Sequence, residues 1–203
     1  MNKFVVAVVS AVVSVTAPSL LLAQGDAAAG QAKSALCASC HGSDGNSALA
    51  INPKLAGQNA AYIVKQLMDF KSGVRADPTM AAMVLSLSEQ DMQDIAAWYS
   101  SQSVTVQGAN RDSRELGETL YRAGNQDIAM AACTACHSPT GQGNAPAGFP
   151  SLSGQHAEYT LKQLKSFRAG ERANDINAMM RTIVERFTDK ELEALASYVS
   201  GLN

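Results

Sequence analysis

Cys37-Ala38-Ser39-Cys40-His41 and Cys133-Thr134-Ala135-Cys136-His137 are two copies of Cys-x-x-Cys-His, and they take all four cysteines and two of the three histidines in the chain. Spacing of this kind suits covalent attachment of haem c. Cysteines three apart lie on one side of a helical turn. There two thiols reach the two vinyl groups of one macrocycle and form thioethers, while the adjacent imidazole supplies the proximal iron ligand. Paired disulfides would leave the histidine after each second cysteine unexplained. A thioredoxin-like redox pair would need alternating strand and helix patterns, which the surroundings lack. A zinc site would require both motifs to converge on one metal, and the internal repeat places them in separate modules.

That repeat is dense. After the first motif come Pro53, Leu55, Gly57, Gln58, Tyr62, Lys65-Gln66-Leu67, Phe70, Gly73 and Arg75. After the second come Pro150, Leu152, Gly154, Gln155, Tyr159, Lys162-Gln163-Leu164, Phe167, Gly170 and Arg172, every pair at an offset of 97. Two copies of one module follow. The repeat also selects a distal iron ligand. Met80 lies eight residues before Ser88, and Met180 lies eight before Thr188. Their neighbours Met83 and Met179 have no methionine at the matching position. A soft thioether opposite a histidine raises the reduction potential. Met68, Met92 and Met130 read as core fillers. His156 stands where the first copy has Asn59, so it reads as a helix-start or surface residue. Leu55 and Leu152 are expected on the ring faces. Tyr62 and Tyr159 read as half-buried helix residues whose hydroxyls could reach haem propionates. Lys162, Lys165, Arg168 and Arg172 form a basic stripe, read as a solvated face, with steering of an acidic partner as the alternative.

The elements that must position these groups are helical throughout, and no segment alternates as a strand does. The first helix is expected around Ala27 to Cys40 and around Arg114 to Cys136. The middle one is expected from about Asn59 to Ser72 and from about His156 to Ala169, ending before Gly73 and Gly170. The last begins at capping boxes, Ser88 to Asp91 and Thr188 to Glu191. Its apolar stripe is Met92, Ile95, Ala96 and Tyr99 in one copy and Leu192, Leu195, Ala196 and Val199 in the other. Ser101 to Arg111 reads as the linker. Helical modules this small have a modest core, which a covalently held haem would complete.

Lys3 followed by the apolar run Phe4 to Val15 reads as a secretory signal peptide, with cleavage expected after Ala23. The run is broken by Ser10, Ser14, Thr16 and Pro18 and falls short of the ~20 apolar residues of a spanning helix. Without residues 1–23 the chain loses one of its 16 basic residues and keeps its 18 acidic ones, a net charge of −3. This balance argues against a nucleic-acid partner, which needs concentrated Lys and Arg.

Together the two motifs, the repeated Pro-x-Leu-x-Gly-Gln with its Tyr and Lys-Gln-Leu, and the paired methionines before capped helices resemble the cytochrome c4 family of dihaem class I cytochromes c. The resemblance covers the whole chain after the leader. It implies an all-α fold of two tandem class I cytochrome c domains, 24–103 and 104–203, with haem propionates facing across their interface. It implies two covalent haem c groups, one on Cys37 and Cys40 with His41 and Met80 as axial ligands, the other on Cys133 and Cys136 with His137 and Met180. The carbonyls of Pro53 and Pro150 would accept the second ring N–H of the proximal histidines, the alternative being loop prolines that merely end an irregular segment. The segment from Gly73 to Met80 is three residues shorter than Gly170 to Met180, so Met80 is the more constrained ligand. The implied role is a monomeric periplasmic electron carrier and not an enzyme, taking electrons from a quinol-oxidising complex to a terminal oxidase or other acceptor, with peripheral membrane attachment in some members. The competing readings are a dihaem oxidoreductase or peroxidase with an open iron, and a haem subunit of a larger respiratory complex.

Overall fold

The computed structural model describes residues 25–203; the leader expected over residues 1–23 lies outside them. Among the described residues there are ten α-helices and no strand, only isolated bridges at Asn125–Met130 and Asn144–Phe149. The first half contains α1 (Ala27–Lys33), α2 (Ala35–His41), α3 (Ala60–Ser72), α4 (Pro78–Val84) and α5 (Glu89–Ser100). The second contains α6 (Arg114–Ala123), α7 (Thr134–His137), α8 (Ala157–Arg168), α9 (Met179–Val184) and α10 (Asp189–Ser200).

Local signals set the ends of these helices. Ser88 and Thr188 each accept from the backbone N–H three residues on, while Asp91 and Glu191 reach back, so both expected capping boxes form. Asn59 and His156 occupy the N-cap positions of α3 and α8. Gly73, at φ 78°, ends α3 in the left-handed conformation that glycine adopts without steric cost. Helix α4, absent from the sequence expectations, starts where Asp77 caps the N–H of Met80 and Pro78 takes the first turn.

The first and last helices of each half cross at a glycine. A Cβ on Gly30 would lie 1.9 Å from the carbonyl oxygen of Asp94, and one on Gly117 would lie 2.3 Å from that of Ala194. Backbones can meet this closely only without a side chain between them. Gly30 lies seven residues before Cys37, whereas Gly117 lies sixteen before Cys133. The additional segment corrects the expectation of one helix from Arg114 to Cys136. Helix α6 stops at Gly124, which is left-handed at φ 73°, and Asn125 caps a 3-10 turn before the chain reaches the motif.

Each half has its own core. Ile63, Leu67, Phe70, Val84, Met92, Ile95, Ala96 and Tyr99 form the first. Leu120, Tyr121, Phe167, Val184, Phe187, Leu192, Leu195, Tyr198, Val199 and Leu202 form the second. Met92 is buried and Met130 packs against the second core, as expected of fillers. Met68 is 44% exposed, because it falls on the outer face of α3 opposite Ile63, Leu67 and Phe70.

The linker is irregular but tied down. Asn46 accepts from the Thr105 N–H at 2.8 Å and donates to Ser103 O at 3.0 Å, while the Gln107 N–H donates to Ser200 O at 3.1 Å.

Candidate functional site

Helix α2 carries Cys37, Cys40 and His41, and the short α7 carries Cys136 and His137 with Cys133 at its N-cap. The residue after each histidine turns left-handed, Gly42 at φ 81° and Ser138 at φ 66°, so the chain leaves the helix at once. Both following loops close with the same hydrogen bond: Leu55 N–H to Gly45 O at 2.8 Å, and Leu152 N–H to Gly141 O at 2.6 Å. This places Pro53 and Pro150 beside the rings. His41 Nδ1 lies 2.9 Å from Pro53 O, and His137 Nδ1 lies 2.9 Å from Pro150 O. A carbonyl can only accept, so Nδ1 carries the proton in both rings and Nε2 keeps its lone pair for a ligand bond. Burial lowers both histidine pKa values, partly opposed by the bond to the carbonyl, and so favours the neutral ring in each half.

No disulfide joins any of the four cysteines among the described residues. Burial raises the pKa of Cys37, and it pushes that of Cys133 up to about 11. Cys37, Leu55 and Met80 pack against the first core, and Cys133, Leu152 and Met180 against the second. Of the rival methionines, Met83 is 39% exposed. Each half therefore sets one cysteine of its motif, a leucine and a methionine thioether against one core, with the histidine of the same motif held in one tautomer by a proline carbonyl. That donor set fits a covalently attached haem with one nitrogen and one sulfur ligand.

The segments leading to the two methionines differ. Pro78 and the Asp77 cap lead directly into α4. In the second half the extra residues are absorbed by Asn177 and Ala178, both left-handed at φ 53° and 56°, ahead of Met179. The Asp175 carboxylate closes this loop by accepting from the Arg181 N–H at 3.0 Å and its Nε–H at 2.8 Å.

Between the halves, equivalent residues make matching crossed contacts. Arg75 donates to the Tyr159 hydroxyl at 3.0 Å and Gln163 Oε1 at 2.9 Å; Arg172 donates to the Tyr62 hydroxyl at 2.9 Å and Gln66 Oε1 at 3.1 Å. Each guanidinium also covers the phenylalanine five residues before it, Phe70 and Phe167. The basic stripe therefore divides. Arg172 is buried in this interface and does not lie on a solvated face, while Lys165 and Arg168 pair with Asp189. His156 is also buried, 3% exposed, with Nε2–H directed at Ser47 O at 3.0 Å and Ser47 Oγ at 2.9 Å. It starts a helix as expected but is not a surface residue, because the other half covers it. Gln58 and Gln155, prominent in the repeat but given no role from sequence, cross the same interface.

The cytochrome c family model matches residues 27–103 and 115–203. The chain is 46% identical to cytochrome c4 of Azotobacter vinelandii over 213 residues and 46% identical to cytochrome c4 of Pseudomonas aeruginosa over 204 residues, with the whole of each chain covered. The crystal structure of reduced recombinant cytochrome c4 from Pseudomonas stutzeri superposes with a TM-score of 0.86 at 48% identity, covering 88% of this chain and all of that one.

Proposed function

This chain belongs to the cytochrome c family, in its two-module cytochrome c4 form, and from that premise we propose how its halves carry electrons. The domains are residues 24–103 and 104–203, and each holds one haem c. Cys37 and Cys40 would hold the first covalently, with His41 and Met80 supplying its iron ligands; Cys133 and Cys136 would hold the second, with His137 and Met180. The group supplies one-electron exchange between Fe(III) and Fe(II). The protein's own residues fix its surroundings. Pro53 and Pro150 hold the imidazole rings and their tautomer, Leu55 and Leu152 shield the ring faces, and the two cores exclude water.

The observation that carries this reading is the recurrence, in both halves, of a cysteine, leucine and methionine on one core beside a histidine whose Nδ1–H is tied to a proline carbonyl. Were a histidine nitrogen and a methionine sulfur both to ligate the iron, no position would remain for a substrate, which favours carriage over catalysis. Residues 1–23 direct export, and the protein works in the periplasm between a quinol-oxidising complex and a terminal oxidase. The test is stopped-flow mixing of the purified periplasmic protein with each complex in turn. Rapid reduction by the first and oxidation by the second support the assignment. A high-spin iron that turns over peroxide or a sulfur substrate would replace it with an enzyme.

A further inference from the structure

The carbonyl that each proximal histidine uses is one end of a peptide unit, and in both halves the other end of that unit is held by the opposite half. Pro53 C=O accepts from His41 Nδ1–H, and the N–H of the same amide, on Lys54, donates to Gln155 Oε1 at 2.8 Å. Pro150 C=O accepts from His137 Nδ1–H, and its amide N–H, on Ser151, donates to Gln58 Oε1 at 2.8 Å. Each glutamine also returns a bond from Nε2–H to the carbonyl of the same residue, Lys54 O or Ser151 O, at 2.9 Å. Both glutamines are at least nine-tenths buried, and each Oε1 also accepts the N–H of the residue that follows it. The flanking contacts have diverged: His156 reaches Ser47 on one side, while Asn59 donates to Phe149 O at 2.8 Å on the other. The glutamine-to-peptide geometry has not.

An amide is conjugated, so a bond accepted from its N–H moves electron density toward its oxygen and makes that oxygen a better acceptor. A better acceptor draws the Nδ1 proton further from the ring, making the imidazole more basic at Nε2 and a stronger donor to ferric iron. We propose that Gln155 and Gln58 are crossed positioning residues. Gln155, in the second half, lowers the potential of the iron bound by His41 in the first. Gln58, in the first half, lowers that of the iron bound by His137 in the second. The proposal rests on the assignment of these histidines as proximal ligands. Domain docking then becomes an electronic input to each iron as well as a mechanical one.

The experiment replaces each glutamine by leucine in the full-length, two-haem protein and measures both reduction potentials, each assigned through the NMR signal of its own ligand methionine. Gln155→Leu is expected to raise the first iron's potential by about two- to tenfold in its reduction equilibrium, ~20–60 mV on the one-electron scale, and to leave the second unchanged. Gln58→Leu is expected to do the reverse. Tyr159→Phe serves as the control, since it removes one acceptor of Arg75 from the same interface without touching either peptide, and it should give no crossed pattern. Hydrogen exchange in the unmodified protein gives a second readout that needs no variant to fold: the Lys54 amide should exchange more slowly when the first iron is oxidised. Equal shifts of both irons, a shift of the iron in the glutamine's own half, or unchanged potentials would overturn the proposal. Irons lacking histidine ligation would instead overturn the functional assignment beneath it.

Discussion

Replacing Gly30 by alanine sets two effects of opposite sign against each other. Gly30 lies in the interior of α1, where alanine is intrinsically better than glycine by about 1 kcal/mol. The new Cβ, however, would sit 1.9 Å from Asp94 O and 2.4 Å from Asp94 C, both main-chain atoms of α5 that have no rotamer through which to escape. Restoring ordinary contact requires the helices to separate by more than an ångström. A gap of that size forfeits a quarter to a half of each dispersion contact across it. The contacts at risk involve Ile95, Ala96 and Tyr99, each 1% exposed or less. Separation also strains the bonds from the Asp26 N–H and Lys33 Nζ to the Asp94 carboxylate, at 2.8 and 2.7 Å. Overpacking against a rigid neighbour costs about 3–5 kcal/mol, at or above the upper end of the usual range, so the net loss is about 2–4 kcal/mol. For a half of this size that lowers the unfolding midpoint by roughly 10–30 °C. The assay is thermal unfolding of Gly30→Ala and the matched Gly117→Ala, followed by far-ultraviolet circular dichroism. An unchanged or raised midpoint would show that helix propensity dominates and that the glycine crossing is not a close contact.

Met180→Ala should leave haem on Cys133 and Cys136 while lowering the potential of that iron. Met83→Leu and Met179→Leu should leave both potentials unchanged, and voltammetry of the four proteins decides. Ser88→Ala and Thr188→Ala should each cost about 1 kcal/mol in urea unfolding, because each removes one side of a formed capping box. Hydrogen bonds from Lys165 and then Arg168 lower the pKa of Asp189 to about 2. Its contribution is therefore complete above the ordinary carboxylate range and is lost as the pH falls through about 2. The midpoint difference between wild type and Asp189→Asn should accordingly narrow over that interval of acidification.

Much of this was legible because the signals are local and occur twice. Both capping boxes and the ends of α3 and α8 are read from spacing alone, and the duplication tests each reading against its copy. Features set by a partner segment were not legible. His156 and Arg172 look like surface residues until the opposite half is brought against them. Met68 shares the apolar character of α3 but lies on its outer face. Gly30 and Gly117 lie outside the constant-offset block, because the second copy carries extra chain before its motif, so their shared role appeared only as helix crossings. Helices α4 and α9 have seven and six residues, too short for periodicity to show. The sequence displayed Gln58 and Gln155 as part of the repeat, but only the fold shows that each reaches the other half's peptide.

The most direct test is the intact mass of the purified, denatured chain together with the spectrum of the native ferric protein. Two covalent haems per chain, with the far-red charge-transfer band of methionine-ligated ferric iron accounting for both, is the predicted result. A mass carrying one haem or none, or a band accounting for half of the iron, would contradict it.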